Sequence, residues 1–231
     1  MPEPAAAPVL SLAERVLQRN DELAQANHRR FRERGVDALN VMSGPGAGKT
    51  TLLERLLRDL GGELDITVIE GDQATDHDAA RIRAAGGRAL QINTGTGCHL
   101  DAAMVARALD TLDPAPGSVV IVENVGNLVC PAQFDLGEDA RIVVVAVTDG
   151  DDKPLKYPHM FRGADLLLLN KIDLLPYVRF DPARCAGYAR EVNPRIEALA
   201  IAATRGDGLD AWYAWLRARV AALRRSVTTT P

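Results

Sequence analysis

Asn40-Val41-Met42-Ser43-Gly44-Pro45-Gly46-Ala47-Gly48-Lys49-Thr50-Thr51-Leu52-Leu53 decides the reading of this chain. An apolar run ends at Met42, a glycine-rich turn follows, and the turn opens onto a helical pattern through Leu57. Strand, turn and helix start in that order make a phosphate cradle. Backbone N–H groups of the turn and of the helix N-terminus point at the anion, and glycine lets the backbone approach it closely. Gly44, Gly46, Ala47, Gly48 and Thr51 then line the cradle, Lys49 reaches the β- and γ-phosphates, and the Thr50 hydroxyl ligates Mg²⁺. The pattern G-x-x-x-x-G-K-[ST] asks for glycine at its first position, where this chain carries Ser43.

Working outward, apolar strand-length runs alternate with helical patterns, the mark of an α/β fold with a mainly parallel sheet flanked by helices. Strands are expected at 38–43, 65–70, 88–92, 118–123, 141–148, 165–170 and 196–202, and helices at 49–60, 76–85, 99–111, 184–191 and 208–224. Ser11 and Glu14 form a capping box for an earlier helix that ends at Gly35. That helix has few apolar positions, so it is expected on the surface, with His28, Arg29, Arg30, Arg32 and Arg34 as a solvated face. The 231 residues suit one large domain. The division expected is 1–36 as extension and helix, 37–225 as the phosphate-loop domain, and 226–231 as a disordered tail.

A net charge of −4 gives no support to general nucleic-acid binding. The longest apolar runs, such as Val143–Val147, are far short of a membrane span. Three widely spaced cysteines make no disulfide framework. With no signal pattern after Met1-Pro2-Glu3-Pro4, the cytoplasm is the expected compartment.

Asn170-Lys171-Ile172-Asp173 follows the apolar run 166–169. In this N-K-x-D arrangement the Asp173 carboxylate accepts from guanine N1–H and the 2-amino group, where adenine presents the wrong pattern. Asn170 fixes the loop, and the Lys171 stem packs over the base. Nucleotide hydrolysis also needs carboxylates for Mg²⁺ and for the attacking water. Asp72 follows one strand, with Asp76 and Asp78 close behind, and Glu123-Asn124-Val125-Gly126 ends another. Asp72 and Glu123, at strand C-termini beside the cradle, are the stronger candidates, with Asp78 as a further catalytic carboxylate. Asn127 stands where Ras-like GTPases carry a water-orienting Gln, so unaided hydrolysis is expected to be slow.

Cys98 and His99 open the expected helix after the third strand, and Cys130 lies beyond Glu123 in the same segment. Two thiolates and an imidazole suit Zn²⁺ or Ni²⁺, and a helix N-terminus is expected to lower the Cys98 pKa. Buried structural cysteine is the competing reading, and for Cys185 the preferred one.

Taken together these segments carry a resemblance. Gly44–Leu53, Gly95-Thr96-Gly97-Cys98-His99-Leu100-Asp101 and Glu123-Asn124-Val125-Gly126-Asn127-Leu128-Val129-Cys130-Pro131 resemble the hydrogenase nickel-incorporation GTPases of the HypB family. Asp152–Pro158, Asn170–Pro176 and Ala203-Thr204-Arg205-Gly206-Asp207-Gly208 agree as well. The resemblance implies a SIMIBI-class GTPase that binds GTP or GDP with Mg²⁺ and couples nucleotide to Ni²⁺ or Zn²⁺ handling. It implies a nucleotide-dependent homodimer that works with the small nickel chaperone HypA toward the [NiFe]-hydrogenase large subunit. It puts the metal ligands at Cys98, His99 and Cys130, Mg²⁺ on Thr50, Asp72 and Glu123, and the late guanine contacts at Ala203 and Thr204. Many members carry an N-terminal cysteine motif or a histidine-rich stretch. Here the first cysteine is Cys98 and only His28 precedes it, so nickel storage is not expected. Three other readings compete: a urease-type nickel accessory GTPase, a small-molecule kinase on the same loop, and a nucleotide-latched metal-binding module with negligible turnover.

Overall fold

The strand that feeds the glycine-rich turn, β1 (Asp37–Ser43), lies in the middle of a seven-stranded sheet in this computed structural model, which describes residues 12–72 and 77–228. The other strands are β2 (Ile66–Asp72), β3 (Arg88–Asn93), β4 (Val119–Glu123), β5 (Ala140–Ala146), β6 (Leu166–Asn170) and β7 (Glu197–Ala200). Their order is β3-β2-β4-β1-β5-β6-β7, and every neighbouring pair is parallel. Parallel strands need crossover connections, and helices supply them. These are α2 (Lys49–Leu60), α3 (His77–Ala84), α4 (Ala102–Leu112), α5 (Lys153–Lys156), α6 (Pro158–Arg162) and α7 (Pro182–Val192), flanked by α1 (Leu12–Arg34) and α8 (Leu209–Thr228).

Both sheet faces are covered, which explains the continuous apolar strands. Leu39 and Val41 of β1 pack with Leu52, Leu56, Trp212 and Leu216 of α2 and α8 on one side. Ala38, on the other side, joins Phe31, Val105 and Leu109 of α1 and α4, while Met42 joins Phe161, Cys185 and Ala189 of α6 and α7. Successive β1 side chains therefore serve different layers, as the pleat requires.

Helix α1 is tied into the domain by two buried asparagines. Asn20 Oδ1 accepts from Ala102 N at 2.9 Å, and Asn27 Nδ2 donates to Ala102 O at 2.9 Å and Leu136 O at 3.0 Å. Its sparse apolar pattern did not reveal this, because half of its inner face is polar. Arg30 pairs with Asp110, and Arg34 with Asp113, so part of the expected solvated face is engaged on α4 and its C-cap. Helix α8 runs to Thr228, past Ser226, where the sequence suggested a tail. Its pattern contains no breaker before that point. Helices α5 and α6, four and five residues long, are too short to show periodicity. Asp76, the N-terminal segment through Ser11 and the last three residues lie outside the described residues.

Candidate nucleotide and metal sites

The strand C-termini converge on one cavity of about 430 Å³ lined by Pro45, Gly46, Gly48–Thr51, Glu70–Asp72, Asp78, Arg81, Glu123, Asn124, Gly126 and Lys171. This is the edge at which open α/β sheets place their ligands. Gly48 must be glycine twice over. Its φ is +96°, and a Cβ there would come within 2.7 Å of Asn170 Nδ2. Ser43 is fully buried, accepting from Lys49 Nζ at 3.0 Å and donating to Gly44 O at 2.6 Å. The departure from the usual first glycine thus places a hydroxyl on the cradle lysine.

Thr50 Oγ1 donates to Glu123 Oε1 at 2.8 Å, joining two of the three expected Mg²⁺ ligands. The carboxyls gathered here are Glu70, Asp78 and Glu123, within 4.8 Å of one another; among the described residues Asp72 lines the cavity without joining that cluster. The sheet register explains the difference. Glu70 sits beside Glu123 across β2–β4, whereas Asp72 lies past the end of β4 and registers with Asn93 of β3. Glu70 was missed in the sequence, although a carboxylate directly after the run Ile66-Thr67-Val68-Ile69 was a usable signal. Burial, and then the neighbouring Glu123, push the Glu70 carboxyl up to about 11. Burial also raises Glu123, against the pull of Lys49. Glu70 Oε2 and Glu123 Oε2 have no hydrogen-bond partner among the described residues. A hard divalent cation fits this set of oxygens and would offset the burial that keeps these carboxyls protonated.

At the base end, Asn170 Nδ2 donates to Ala47 O at 2.9 Å and its Oδ1 accepts from Ala203 N at 3.1 Å. One side chain thus joins the cradle to the late loop. Lys171, with φ of 64°, sends Nζ to Gly46 O at 2.7 Å. Asp173 Oδ1 is buried and has no hydrogen-bond partner among the described residues. An orphaned carboxylate oxygen beside the ordered Asn170 suits a base edge that presents N–H donors. Ala203 is buried and Thr204 exposed, so the chain brings the Ala203 backbone to the site more firmly than the Thr204 side chain. Asn127 Oδ1 accepts from Val129 N at 2.8 Å and closes a local turn. Lys153 lines a neighbouring hollow with Gly44, Pro45 and Gly126, its Nζ 5.3 Å from the Tyr157 ring centroid.

Cys98, His99 and Cys130 meet in a cluster of their own, and none of them lines this cavity. Cys98 Sγ lies 2.6 Å from Cys130 Sγ and 3.6 Å from His99 Nδ1, and the His99 ring stacks on Phe134 at 3.8 Å. All three ligand candidates are half-exposed. Two expectations are corrected here. Helix α4 begins at Ala102, because Asp101 is its N-cap and accepts from Met104 N at 2.8 Å. Cys98 therefore precedes the helix, held in a turn closed by Gly97 N donating to Thr94 O. Its thiol is raised rather than lowered, first by the hydrogen bond with Cys130 and then by burial. Burial lowers His99, which keeps the imidazole neutral and able to ligate. Cys185 is fully buried and its thiol pushed up to about 12 by that burial, so it is a core residue.

Parallel sheet, phosphate cradle and strand-end carboxylates define a P-loop nucleotide-binding domain, and residues 38–200 match the family model described as "CobW/HypB/UreG, nucleotide-binding domain". The hydrogenase maturation factor HypB of Rhizobium leguminosarum bv. viciae is 54% identical over 219 residues, 95% of this chain and 73% of that protein. The Escherichia coli K12 factor of the same name is 56% identical over 201 residues, covering 87% of this chain and 69% of that protein. HypB from Archaeoglobus fulgidus superposes with a TM-score of 0.82 at 39% identity, covering 88% of this chain and 99% of that one. HypB from Helicobacter pylori, solved in complex with nickel, gives a TM-score of 0.82 at 36% identity, with coverage of 88% and 95%. The chain belongs to the HypB family of hydrogenase maturation factors.

Proposed function

We propose that this protein is a GTP-hydrolysing metallochaperone that couples nucleotide state to delivery of nickel during [NiFe]-hydrogenase maturation. The observation that carries the reading is the path of one segment. It leaves the sheet at Glu123, which holds Thr50, and eight residues past Val122 it presents Cys130 to Cys98. A change at the phosphate end of that segment has a direct mechanical route to a metal ligand.

In this reading the cradle amides and Lys49 bind and orient the phosphates, Asp173 selects guanine, and Asn170 holds base loop, cradle and Ala203 in one register. Glu70 and Asp78 place the attacking water, Asp78 takes its proton, and Glu123 with Thr50 would hold Mg²⁺. Bound there, it would supply positive charge to offset the charge that develops on the phosphates. The products are GDP and phosphate. Asn127 is committed to its own turn, so unaided turnover is slow. Cys98 and His99 form one side of the cargo site and Cys130 the mobile side, for Ni²⁺ or Zn²⁺. Completion of a tetrahedral or larger shell needs water or groups from a second subunit, which fits a nucleotide-dependent homodimer. The small chaperone HypA and the hydrogenase large subunit are the proposed partners, in the cytoplasm. No helix among the described residues is long and apolar enough to cross a membrane.

Titration with Ni²⁺ and Zn²⁺, in parallel with GDP and with a non-hydrolysable GTP analogue, tests the reading. Metal affinity is expected to differ between the two nucleotide states by five-fold or more, the order usual for coupled sites at about 1 kcal/mol. Cys130→Ala is expected to abolish that difference. Equal affinities in both states would overturn the coupling.

A further inference from the structure

Asn124 lies between the two sites. It is 1% exposed, lines the nucleotide cavity, and follows Glu123 directly. Its Oδ1 accepts from two backbone amides on separate connections. Val125 N, at 3.0 Å, belongs to the segment that leads to Cys130; Leu100 N, at 3.1 Å, immediately follows Cys98-His99. Its Nδ2 donates to Asn40 Oδ1 at 3.3 Å, and Asn40 Nδ2 in turn donates to the buried Glu138 at 3.1 Å. The Asn124 backbone N–H is held by Val41 O of the central strand at 3.0 Å. An asparagine in this place satisfies two loop amides with one oxygen. Its amide is in turn oriented by a neighbour that fixes which end is the acceptor.

We infer that Asn124 is the positioning residue that transmits nucleotide state to the fixed half of the metal corner, through the amide bridge from Val125 to Leu100. The inference rests on the proposed coupling and deepens it. Movement of Cys130 alone would alter one ligand. With Oδ1 shared, any displacement of the 123–126 segment either drags Leu100, and with it Cys98-His99, or breaks a buried hydrogen bond. A buried N–H left without a partner is costly, so two discrete arrangements are favoured over a continuum of intermediates. Gly126 sharpens the constraint. A Cβ there would meet Pro45 Cα at 3.0 Å, so this segment and the phosphate loop are in close contact and cannot shift independently.

The test uses the ratio of Ni²⁺ affinities measured with GDP and with the GTP analogue, in wild type, Asn124→Ala and Asn40→Ala. Asn124→Ala removes the bridge and is expected to bring the ratio within about two-fold of unity, against five-fold or more for wild type. Asn40→Ala removes the orienting partner but leaves both Oδ1 contacts, and is expected to keep most of the wild-type ratio. Amide NMR on the unmodified protein gives a second readout that does not depend on a variant folding. The Leu100 N–H is expected to shift on adding GTP analogue, and the Val125 N–H on adding Ni²⁺. A full ratio in Asn124→Ala, or loss of the ratio in both variants alike, would overturn the assignment, as would a Leu100 amide indifferent to nucleotide. A ratio of one in wild type would instead remove the underlying coupling, so the two failures are told apart.

Discussion

Glu123 and Asn170 are buried at strand ends and Lys49 and Thr50 in the first turn of α2, whereas Cys98, His99 and Cys130 are half-exposed on connections between elements. The contrast is one of support. Each of the four nucleotide-site residues is fixed by a strand end or the start of α2 and by a side-chain bond: Thr50 to Glu123, Lys49 to Ser43, Asn170 to both Ala47 and Ala203. The metal corner rests on a turn at Thr94–Gly97, a short 3-10 helix starting at Cys130, and the Asn124 bridge. A transfer site must release its cargo, and a corner built from two lightly held loops is easier to open than strand ends clamped by the core. A nucleotide site must instead present its groups preorganised, which buried strand ends provide.

The comparison can be broken at its stiffest point first. Asp173→Ala removes the carboxylate proposed to select guanine. GTP affinity is expected to fall roughly 100-fold or more, since two hydrogen bonds to a charged group are worth about 1.5–3 kcal/mol each. Metal affinity of the nucleotide-free protein should stay within about two-fold, sites this far apart in the network being nearly additive. Calorimetric titration reads both, and a loss of GTP affinity below about five-fold would mean that the base is held elsewhere.

Glu70→Gln probes the charge stored at the cavity. The Glu70 carboxyl is raised in the folded, ion-free protein from 4.5 to about 11, so the native state keeps a proton that the unfolded chain releases. Its contribution is complete below about pH 4.5 and is lost as pH rises toward the folded value. Gln carries no such penalty. In a chelating buffer, the stability gain of Glu70→Gln over wild type is therefore expected to be larger at pH 8 than at pH 5. A melting shift larger by about 2–4 °C would correspond to roughly 1 kcal/mol for a chain of this size. An equal shift at both pH values would show that Glu70 is ionised in the free protein.

The smallest effect lies between the regions. Asp101→Ala deletes the N-cap of α4 and is expected to cost about 1 kcal/mol, read by chemical denaturation. Because Cys98 lies before the helix, its reactivity toward a thiol reagent should change little. A marked drop in Cys98 reactivity would show that the helix terminus does act on the thiol after all.

Several of these features were legible in advance. The seven strands and the five longer helices after the cradle stand where periodicity put them, because burial on both faces leaves unbroken apolar runs bounded by Gly, Asp and Asn. Proximity of Cys98 and Cys130 followed from the resemblance, since spacing alone does not bring two connections together. Glu70 was obscured because the relevant distance is lateral. Only the β2–β4 register sets it, and not Asp72, beside Glu123. The start of α4 was placed too early because a run of small and polar residues continues smoothly into the helix. The Asp101 side chain, capping in three dimensions, decides where the first turn begins.

By itself the sequence determined the chemistry available: a glycine-lysine-threonine turn between strand and helix, an N-K-x-D loop, strand-end acids, and two thiols with an imidazole. Those are local properties, carried by residue type and spacing along one stretch of backbone. The tertiary structure decided which acids come together, that Ser43 holds Lys49, and that one asparagine bridges the nucleotide and metal connections. Such pairings depend on strand order and register, which juxtapose residues remote in the chain, and no local pattern encodes them.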